Sequence, residues 1–256
     1  MLAKRKIVHF VKDWYKTDEA IEIVKSLYMK NNFSAIIRKK YAFMEYPNTE
    51  NLDIFTYKIV IVGDGNVGKS SFSERLCGQN IHVNTPSFNG ISINKVYFPY
   101  QLLNNKKIIL ICFEIWDCNT KAMEKNPYMK ESLMENVDGV LYVFSMAQQS
   151  SFDDLSKLIS RTLTGDQRNK ICQFIIATKV DMYGFLEVSR VEVQRFEEIW
   201  KLPVFFVSNT ISNLDFECRH GRKEHPPFCQ EMELLMPLLE KMADSLWNRQ
   251  ETIINI

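Results

Sequence analysis

The chain has 256 residues, a formal net charge of +1 at pH 7 and a hydrophobic fraction of 46%. These values are ordinary for a globular protein with one large domain and additions, and the charge gives no reason to expect nucleic acid as a partner. Because the longest apolar runs are too short to cross a bilayer and the six cysteines are scattered, we expect a cytoplasmic protein that is reduced, not secreted and without a transmembrane segment.

Residues 1–55 are predicted to form an N-terminal extension with an amphipathic helix at about 17–30. The helix is expected because apolar residues share one stripe, namely Ala20, Val24, Leu27 and Tyr28. Two short basic runs flank it, at 4–6 and 38–40, with aromatic residues between them. They leave two interpretations open, a peripheral membrane contact or a helix that packs on the domain with its basic face in water. No lipid anchor is predicted, since residue 2 is Leu and the C-terminal ETIINI lacks Cys.

From Tyr57 onward, segments typical of strands alternate with segments typical of helices. Strands are predicted at 57–63, 91–100, 106–116, 139–145, 172–181 and 203–208. Helices are predicted at 69–78, 151–163, 189–201 and 231–249. The turn-like link between the second and third strands predicts an antiparallel hairpin, and Pro237 is expected to kink the last helix.

This alternation predicts an α/β fold with a six-stranded, mostly parallel sheet and helices on both faces. The domain is expected to span 56–250, with a polar loop at 212–228 inserted before the last helix and a tail at 251–256. Ligands of such sheets bind beyond the carboxyl ends of the strands, so candidate binding residues are sought where strands end.

The run GDGNVGKS, from Gly63 to Ser70, fits the phosphate-binding pattern G-x-x-x-x-G-K-[ST] between a predicted strand and a predicted helix. Glycines allow the backbone to surround phosphate, Lys69 offers a positive charge, and the hydroxyl of Ser70 is a ligand for Mg²⁺. The predicted phosphate-binding residues are Gly63, Asp64, Gly65, Asn66, Val67, Gly68, Lys69, Ser70 and Ser71. The pattern therefore predicts a nucleoside triphosphate site.

The run ATKVD at 177–181 resembles the guanine-specificity motif Asn-Lys-x-Asp, with Thr178 in place of Asn. A carboxylate at Asp181 accepts hydrogen bonds from two guanine nitrogens, a donor pair that adenine lacks, and the stem of Lys179 is expected to lie over the base. A strand-ending Asp that only caps a turn is the alternative. Ser208 and Asn209 stand where a further guanine-contact motif is expected, so the predicted base is guanine.

Several motifs together carry a resemblance to known proteins: YKIVIVGDGNVGKSSF, FEIWDCNTKAM and TKVDMY. Over about 57–247 the chain resembles the small GTPases of the Ras superfamily. More narrowly, Trp116-Asp117-Cys118 without a conventional Asp-x-x-Gly is similar to the Rem/Rab-like ciliary GTPases of the ciliogenesis and planar polarity effector group.

The resemblance implies a P-loop small-GTPase fold that binds GTP or GDP with Mg²⁺. It also implies a nucleotide-dependent switch or scaffold at the ciliary basal body, active in cilium assembly, planar polarity and targeted membrane trafficking. The implied partners are Fuzzy-like and Inturned-like planar polarity effector proteins, together with an exchange factor and an activating protein.

The metal site departs from the pattern of these GTPases. Ser70 and Asp117 are the predicted Mg²⁺ ligands, the latter through a water molecule. Phe88 stands where the Ras-like switch Thr belongs. Thr85 or Ser87 would replace that Thr if the loop is displaced, and the alternative is that both are turn residues around a proline.

The third nucleotide-contact motif of a GTPase corresponds here to Asp117–Lys121, called the third motif below, and it lacks the usual catalytic residues. Thr120 replaces Gly, and Lys121 replaces the Gln that orients the attacking water. An ammonium has only donors and cannot accept a hydrogen bond from that water, so no catalytic residue is assigned. We predict slow intrinsic hydrolysis, with two alternatives: a pseudo-GTPase interaction subunit, or a GTPase whose active site a partner completes.

A cluster near the end of the predicted loop places two cysteines and two histidines close together, namely Cys218, His220, His225 and Cys229. These residue types bind zinc, but their spacing matches no familiar zinc motif. A solvated basic loop is the alternative to a metal site.

Overall fold

A computed structural model of the full chain describes residues 11, 14, 17–20, 52–77, 90–103, 106–118, 127–163, 165, 167–208 and 235–254. The predicted loop at 212–228, with its Cys and His cluster, lies outside the described residues. So does the larger part of the amphipathic helix predicted at 17–30. Within that helix, residues 18–20 are helical.

Six strands form one sheet in the part of the chain that the structure describes. They are β1 (Ile54–Gly63), β2 (Ile91–Gln101), β3 (Ile108–Cys118), β4 (Gly139–Ser145), β5 (Cys172–Thr178) and β6 (Val204–Phe206). Their order is β2-β3-β1-β4-β5-β6, and every neighbouring pair is parallel except β2 with β3. The predicted mostly parallel sheet and its antiparallel hairpin are confirmed.

Seven helices and one 3₁₀ turn (Tyr183–Phe185) lie between or after these strands in the described ranges. The helices are α1 (Lys69–Leu76), α2 (Pro127–Met134), α3 (Gln149–Asp153), α4 (Leu155–Thr162), α5 (Gln167–Lys170), α6 (Arg190–Trp200) and α7 (Met236–Ile254). The helix predicted at 151–163 is divided at Asp154, whose ψ of −6° departs from the α-helical value. No helix among the described residues has the length and apolar character needed to span a bilayer.

The last helix differs from its prediction at both ends. It begins at Met236, so Pro237 lies in the first turn, where its missing N–H has no helical acceptor. The kink predicted at Pro237 is therefore replaced by a helix start. The helix also continues to Ile254, beyond residue 251, where the tail was expected to begin.

The helices cover both faces of the sheet, as predicted. Side chains alternate along β1, so Ile59 and Ile61 belong to the core formed with α1 and α7, and Val60 belongs to the opposite core. That second core contains residues of α2, α4 and α6, among them Leu133, Leu155, Leu158 and Val193. All seven residues of β4 are buried, as expected for a central parallel strand between two helical layers.

The described residues of the N-terminal extension contact the end of β2. Val11 N donates a 2.9 Å hydrogen bond to the carbonyl of Gln101, and the Gln101 side chain donates one of 3.4 Å to Glu19. Trp14 is buried, and the hydroxyl of Thr17 caps the helical residues by accepting a hydrogen bond from Ala20 N. This part of the extension therefore packs on the domain.

The four described cysteines are buried in the core as thiols and not in disulfides: Cys77, Cys112, Cys118 and Cys172. Burial raises the pKa of the Cys77 thiol to about 12 and that of Cys172 to about 11. These thiols remain protonated at neutral pH and are therefore poor nucleophiles.

Candidate nucleotide site

The loop between β1 and α1 lies at the carboxyl edge of the sheet and has the shape its glycines were predicted to permit. A Cβ on Gly63 would approach Val143 O more closely than real Cβ atoms approach a heavy atom. Gly68 has a φ of 93° and Asn66 a φ of 62°, both in the left-handed region. A Cβ on Gly65 would meet nothing within 4 Å. Two of the three glycines are thus required by the backbone, whereas Gly65 keeps the outer side of the loop open.

Lys69, the first residue of α1, directs its ammonium into this loop. Its Nζ donates hydrogen bonds to the carbonyls of Gly63, at 3.0 Å, and of Asp64, at 2.5 Å. Burial lowers the pKa of Lys69, and the carboxylate of Asp117 opposes that shift. The structure therefore holds a buried cation at the mouth of the loop, where it can neutralise phosphate oxygens.

The N-terminus of α1 adds to this positive field. No side chain caps it, since the N-cap position is Gly68. The N–H groups of a first helical turn have no intrahelical acceptor, and the helix dipole is positive there. The predicted phosphate-binding residues from 63 to 71 thus form one continuous loop and helix start that is suited to an anion.

Asp117 and Ser70 meet beside the loop. Asp117, the second-last residue of β3, is 7% exposed, and its Oδ1 has no hydrogen-bond partner within the described ranges. Burial raises the pKa of Asp117, while a hydrogen bond from the Ser70 hydroxyl and the charge of Lys69 oppose the increase. A buried carboxylate oxygen without a partner, next to an exposed hydroxyl, is a donor set that fits a hard divalent cation.

The other predicted metal and switch positions lie outside the described residues: Thr85, Ser87, Phe88, Thr120 and Lys121. In the described ranges, no group of three or more Asp, Glu, His or Cys side chains is placed to hold a metal by itself. Mg²⁺ in nucleotide sites is bound by one or two protein ligands together with substrate phosphates and water, so the Mg²⁺ site at Ser70 and Asp117 stays a prediction.

Thr178, at the end of β5, has a role that its motif did not predict. Its side chain is fully buried, and its Oγ1 lies 2.5 Å from the carbonyl of Val67 and 2.9 Å from that of Phe144. The hydroxyl therefore joins the phosphate loop to β4 and β5. The sequence signal that could have indicated this role is the replacement of Asn, which has an amide, by a shorter residue that has a hydroxyl donor.

Lys179 also contacts the loop. It has a φ of 58°, and its Nζ donates a 2.7 Å hydrogen bond to the carbonyl of Asn66. Asp181 and Ser208, both half-buried, follow β5 and β6, and Val207 N bonds to the carbonyl of Ala177. The structure thus gathers the described residues of the two predicted base motifs at one edge of the sheet. Asn209 lies outside the described residues.

Replacing Thr178 by Val is expected to lower the free energy of unfolding by roughly 1–3 kcal/mol, because the buried carbonyls of Val67 and Phe144 lose the single hydroxyl proton that they share while the side-chain volume is nearly unchanged. Urea denaturation monitored by circular dichroism measures the change. Thr162→Val is the matched control, since its hydroxyl bonds to the helical carbonyl of Leu158 at a partly exposed position. Equal losses in the two variants would contradict the role assigned to Thr178.

The chain matches one family model and is similar to several known proteins. The family model described as "Ras family" matches residues 58–214. The chain is 29% identical over 242 residues to Ciliogenesis and planar polarity effector 2 of Danio rerio, with 93% of this chain and 86% of the relative covered. The proteins of the same name are 27% identical over 252 residues in Xenopus laevis (95% and 94% covered) and 28% identical over 202 residues in Homo sapiens (78% and 76% covered).

Proposed function

The chain belongs to the Ras family, and from that premise we propose that it is an atypical small GTP-binding protein that acts as a nucleotide-dependent switch or scaffold. The observation that carries the proposal is the presence of two buried charged groups at the phosphate loop, the Lys69 ammonium and the Asp117 carboxylate. A purely structural loop gains nothing from burying both charges, whereas a triphosphate and its metal would use each of them.

The proposed ligand is GTP or GDP with Mg²⁺. Lys69 and the N-terminus of α1 would bind phosphate oxygens, and Ser70 would contribute a hydroxyl to the metal. Asp117 would reach the metal through a water molecule, with Thr85 or Ser87 as a further ligand. When bound, Mg²⁺ supplies positive charge that neutralises the phosphates. Asp181 and Ser208, with Asn209, would select guanine.

The proposed setting is cilium assembly, planar polarity and targeted membrane trafficking, in the cytoplasm at the ciliary basal body. The names of the relatives and the Trp116-Asp117-Cys118 motif support this assignment. Fuzzy-like and Inturned-like effector proteins are the proposed partners, with an exchange factor and an activating protein acting on the nucleotide.

Intrinsic hydrolysis is proposed to be slow, because Lys121 cannot accept a hydrogen bond from an attacking water and Thr120 is less free than Gly to turn a peptide toward phosphate. The alternatives are a pseudo-GTPase interaction subunit and a GTPase that a partner completes.

Nucleotide extracted from the purified full chain and identified by chromatography tests the proposal. GTP is the expected result. GDP would support a GTPase completed by a partner, no nucleotide would support a pseudo-GTPase, and an adenine nucleotide would contradict the guanine assignment. In single-turnover assays we expect hydrolysis well below the rate of about 4 × 10⁻⁴ per second that Ras shows without a helper protein. A rate at or above that value would refute the prediction of slow turnover.

A further inference from the structure

One lysine outside the predicted site contacts two elements that flank the third motif. Lys58 lies in the middle of β1, and its Nζ donates hydrogen bonds to the carbonyls of Ser132, at 3.0 Å, and Glu135, at 2.7 Å. The same Nζ lies 3.9 Å from the centroid of the Trp116 ring. A single ammonium therefore joins β3 to the C-terminal end of α2.

These contacts are of kinds that favour a cation. The last carbonyls of a helix have no intrahelical donor, and the helix dipole is negative at that end. The face of an indole ring is the negative end of the ring quadrupole and attracts an ammonium, more strongly where water is excluded. Burial lowers the pKa of Lys58, and nearby carboxylates, with Glu135 first, oppose that shift.

The main chain of Lys58 is held as firmly as its side chain. Its N–H donates a 2.8 Å hydrogen bond to Asp138 Oδ2, and its carbonyl accepts one of 3.0 Å from Asp138 N. Lys58 thus has a fixed base in the centre of the sheet. Its side chain can hold the two elements that it touches at a constant separation.

The contact with Trp116 connects Lys58 to the candidate site. Trp116 precedes Asp117, whose carboxylate accepts the hydrogen bond from Ser70. The indole Nε1 of Trp116 is buried and has no hydrogen-bond partner in the part of the chain that the structure describes. The ring is therefore positioned by packing and by the ammonium of Lys58 and not by its own N–H.

We propose that Lys58 is a positioning residue that couples the nucleotide state sensed at Asp117 to the exposed face of α2. The inference rests on the proposed function. In Ras-like GTPases the peptide of the Gly in Asp-x-x-Gly changes position according to whether the γ-phosphate is present. This chain has Thr120 at that position. The contacts through Trp116 and Lys58 provide a second route from Asp117 to α2, and this route does not need a flexible Gly.

The face of α2 that Lys58 positions is open to solvent. A shallow groove of about 600 Å³ lies there, lined by Tyr128, Glu131, Ser132, Met134, Glu135 and Gln167. The side chain of Tyr128 is 80% exposed. Ser132 and Glu135 line the groove and also supply the two carbonyls bound by Lys58, so a movement of the ammonium changes the groove directly.

Hydrogen exchange of the full chain, loaded with GDP or with a non-hydrolysable GTP analogue, tests the coupling. In the natural chain we expect amides of α2 to differ at least about threefold in exchange rate between the two states. In Lys58→Met, which keeps the apolar stem and removes the charge, this difference should fall below about 1.5-fold. Lys58→Arg should retain the difference in exchange rate between the two states, since a guanidinium can donate to both carbonyls and stack on Trp116.

Lys157→Met is the matched control, because within the described ranges the Lys157 ammonium makes one exposed ion pair, 2.8 Å from Asp154, and this variant should retain the natural difference. General destabilisation would speed exchange in both states and leave the difference intact. A Lys58→Met difference equal to that of the natural chain overturns the coupling, as does a natural chain whose α2 exchanges equally in both states.

Two further outcomes separate this inference from the proposed function. If the natural chain binds no guanine nucleotide, the proposed function fails and the coupling fails with it. If Lys58→Met does not fold, Trp116→Leu takes its place, because it removes the ring and leaves both carbonyl bonds of Lys58. A reduced state difference at α2 in Trp116→Leu supports the coupling, and an unchanged difference overturns it.

Discussion

Replacing Lys69 by Ala is expected to weaken GTP binding at least about a hundredfold, a loss of about 3 kcal/mol. The ammonium lies in the loop with its Nζ on two loop carbonyls, so it needs only a small movement to donate to phosphate oxygens. Charge-assisted hydrogen bonds inside a buried site are stronger than those in water. Titration of the purified chain with a fluorescent GTP analogue at fixed Mg²⁺ concentration measures the loss.

The same substitution should change the stability of the nucleotide-free protein little. The Lys69 side chain is 8% exposed, and burial lowers its pKa, which means that the folded protein spends free energy to keep the ammonium charged. Lys95→Ala is the matched control, since that lysine pairs with Glu114 at 2.7 Å on the surface and should leave GTP affinity unchanged. An affinity of Lys69→Ala within about threefold of the natural chain would refute the assignment of the phosphate loop.

Replacing Gly63 by Ala is expected to destabilise the fold by about 3 kcal/mol or more. The added Cβ would collide with the backbone carbonyl of Val143 and lie 3.2 Å from Val67 Cγ2. Neither neighbour can yield easily, because Gly63 pairs with Val143 in the central β1–β4 ladder. Guanidinium denaturation measures the loss of free energy of unfolding.

Gly65→Ala is the control for this prediction. Gly65 lies in the same loop, its φ is not in the left-handed region, and a Cβ there meets nothing within 4 Å. We expect the free energy of unfolding to change by no more than about 1 kcal/mol. Any change should be a stabilisation, because Ala restricts the conformations of the unfolded chain more than Gly does. Similar losses in the two variants would show that the contact with Val143 is not what restricts Gly63.

Much of the fold could be predicted because its strands are local apolar runs. The strand predicted at 139–145 matches β4 residue for residue, since seven consecutive buried residues leave no ambiguity about where the run ends. By contrast, β1 begins three residues before its predicted start. Ile54 to Thr56 become a strand because they pair with Leu110 to Cys112 of β3, a contact that their own sequence does not encode.

The candidate site also combines a feature that the sequence predicted with one that it did not. Its phosphate loop was evident from Gly63 to Ser70, because that chemistry needs particular residues at particular spacing. The anchoring of the loop by Thr178 was not evident. The two carbonyls that its hydroxyl meets belong to residues 111 and 34 positions away in the chain.

By itself, the sequence determined that this chain is an α/β protein with a nucleotide loop, and its third motif set it apart from ordinary Ras-like GTPases. These features depend on residue type and short-range order, which a linear pattern records. Only the tertiary structure decided that Asp117 keeps a buried oxygen without a partner among the described residues and that Lys58 joins Trp116 to the end of α2. Such contacts depend on how strands and helices pack, because packing brings residues together that are distant along the chain.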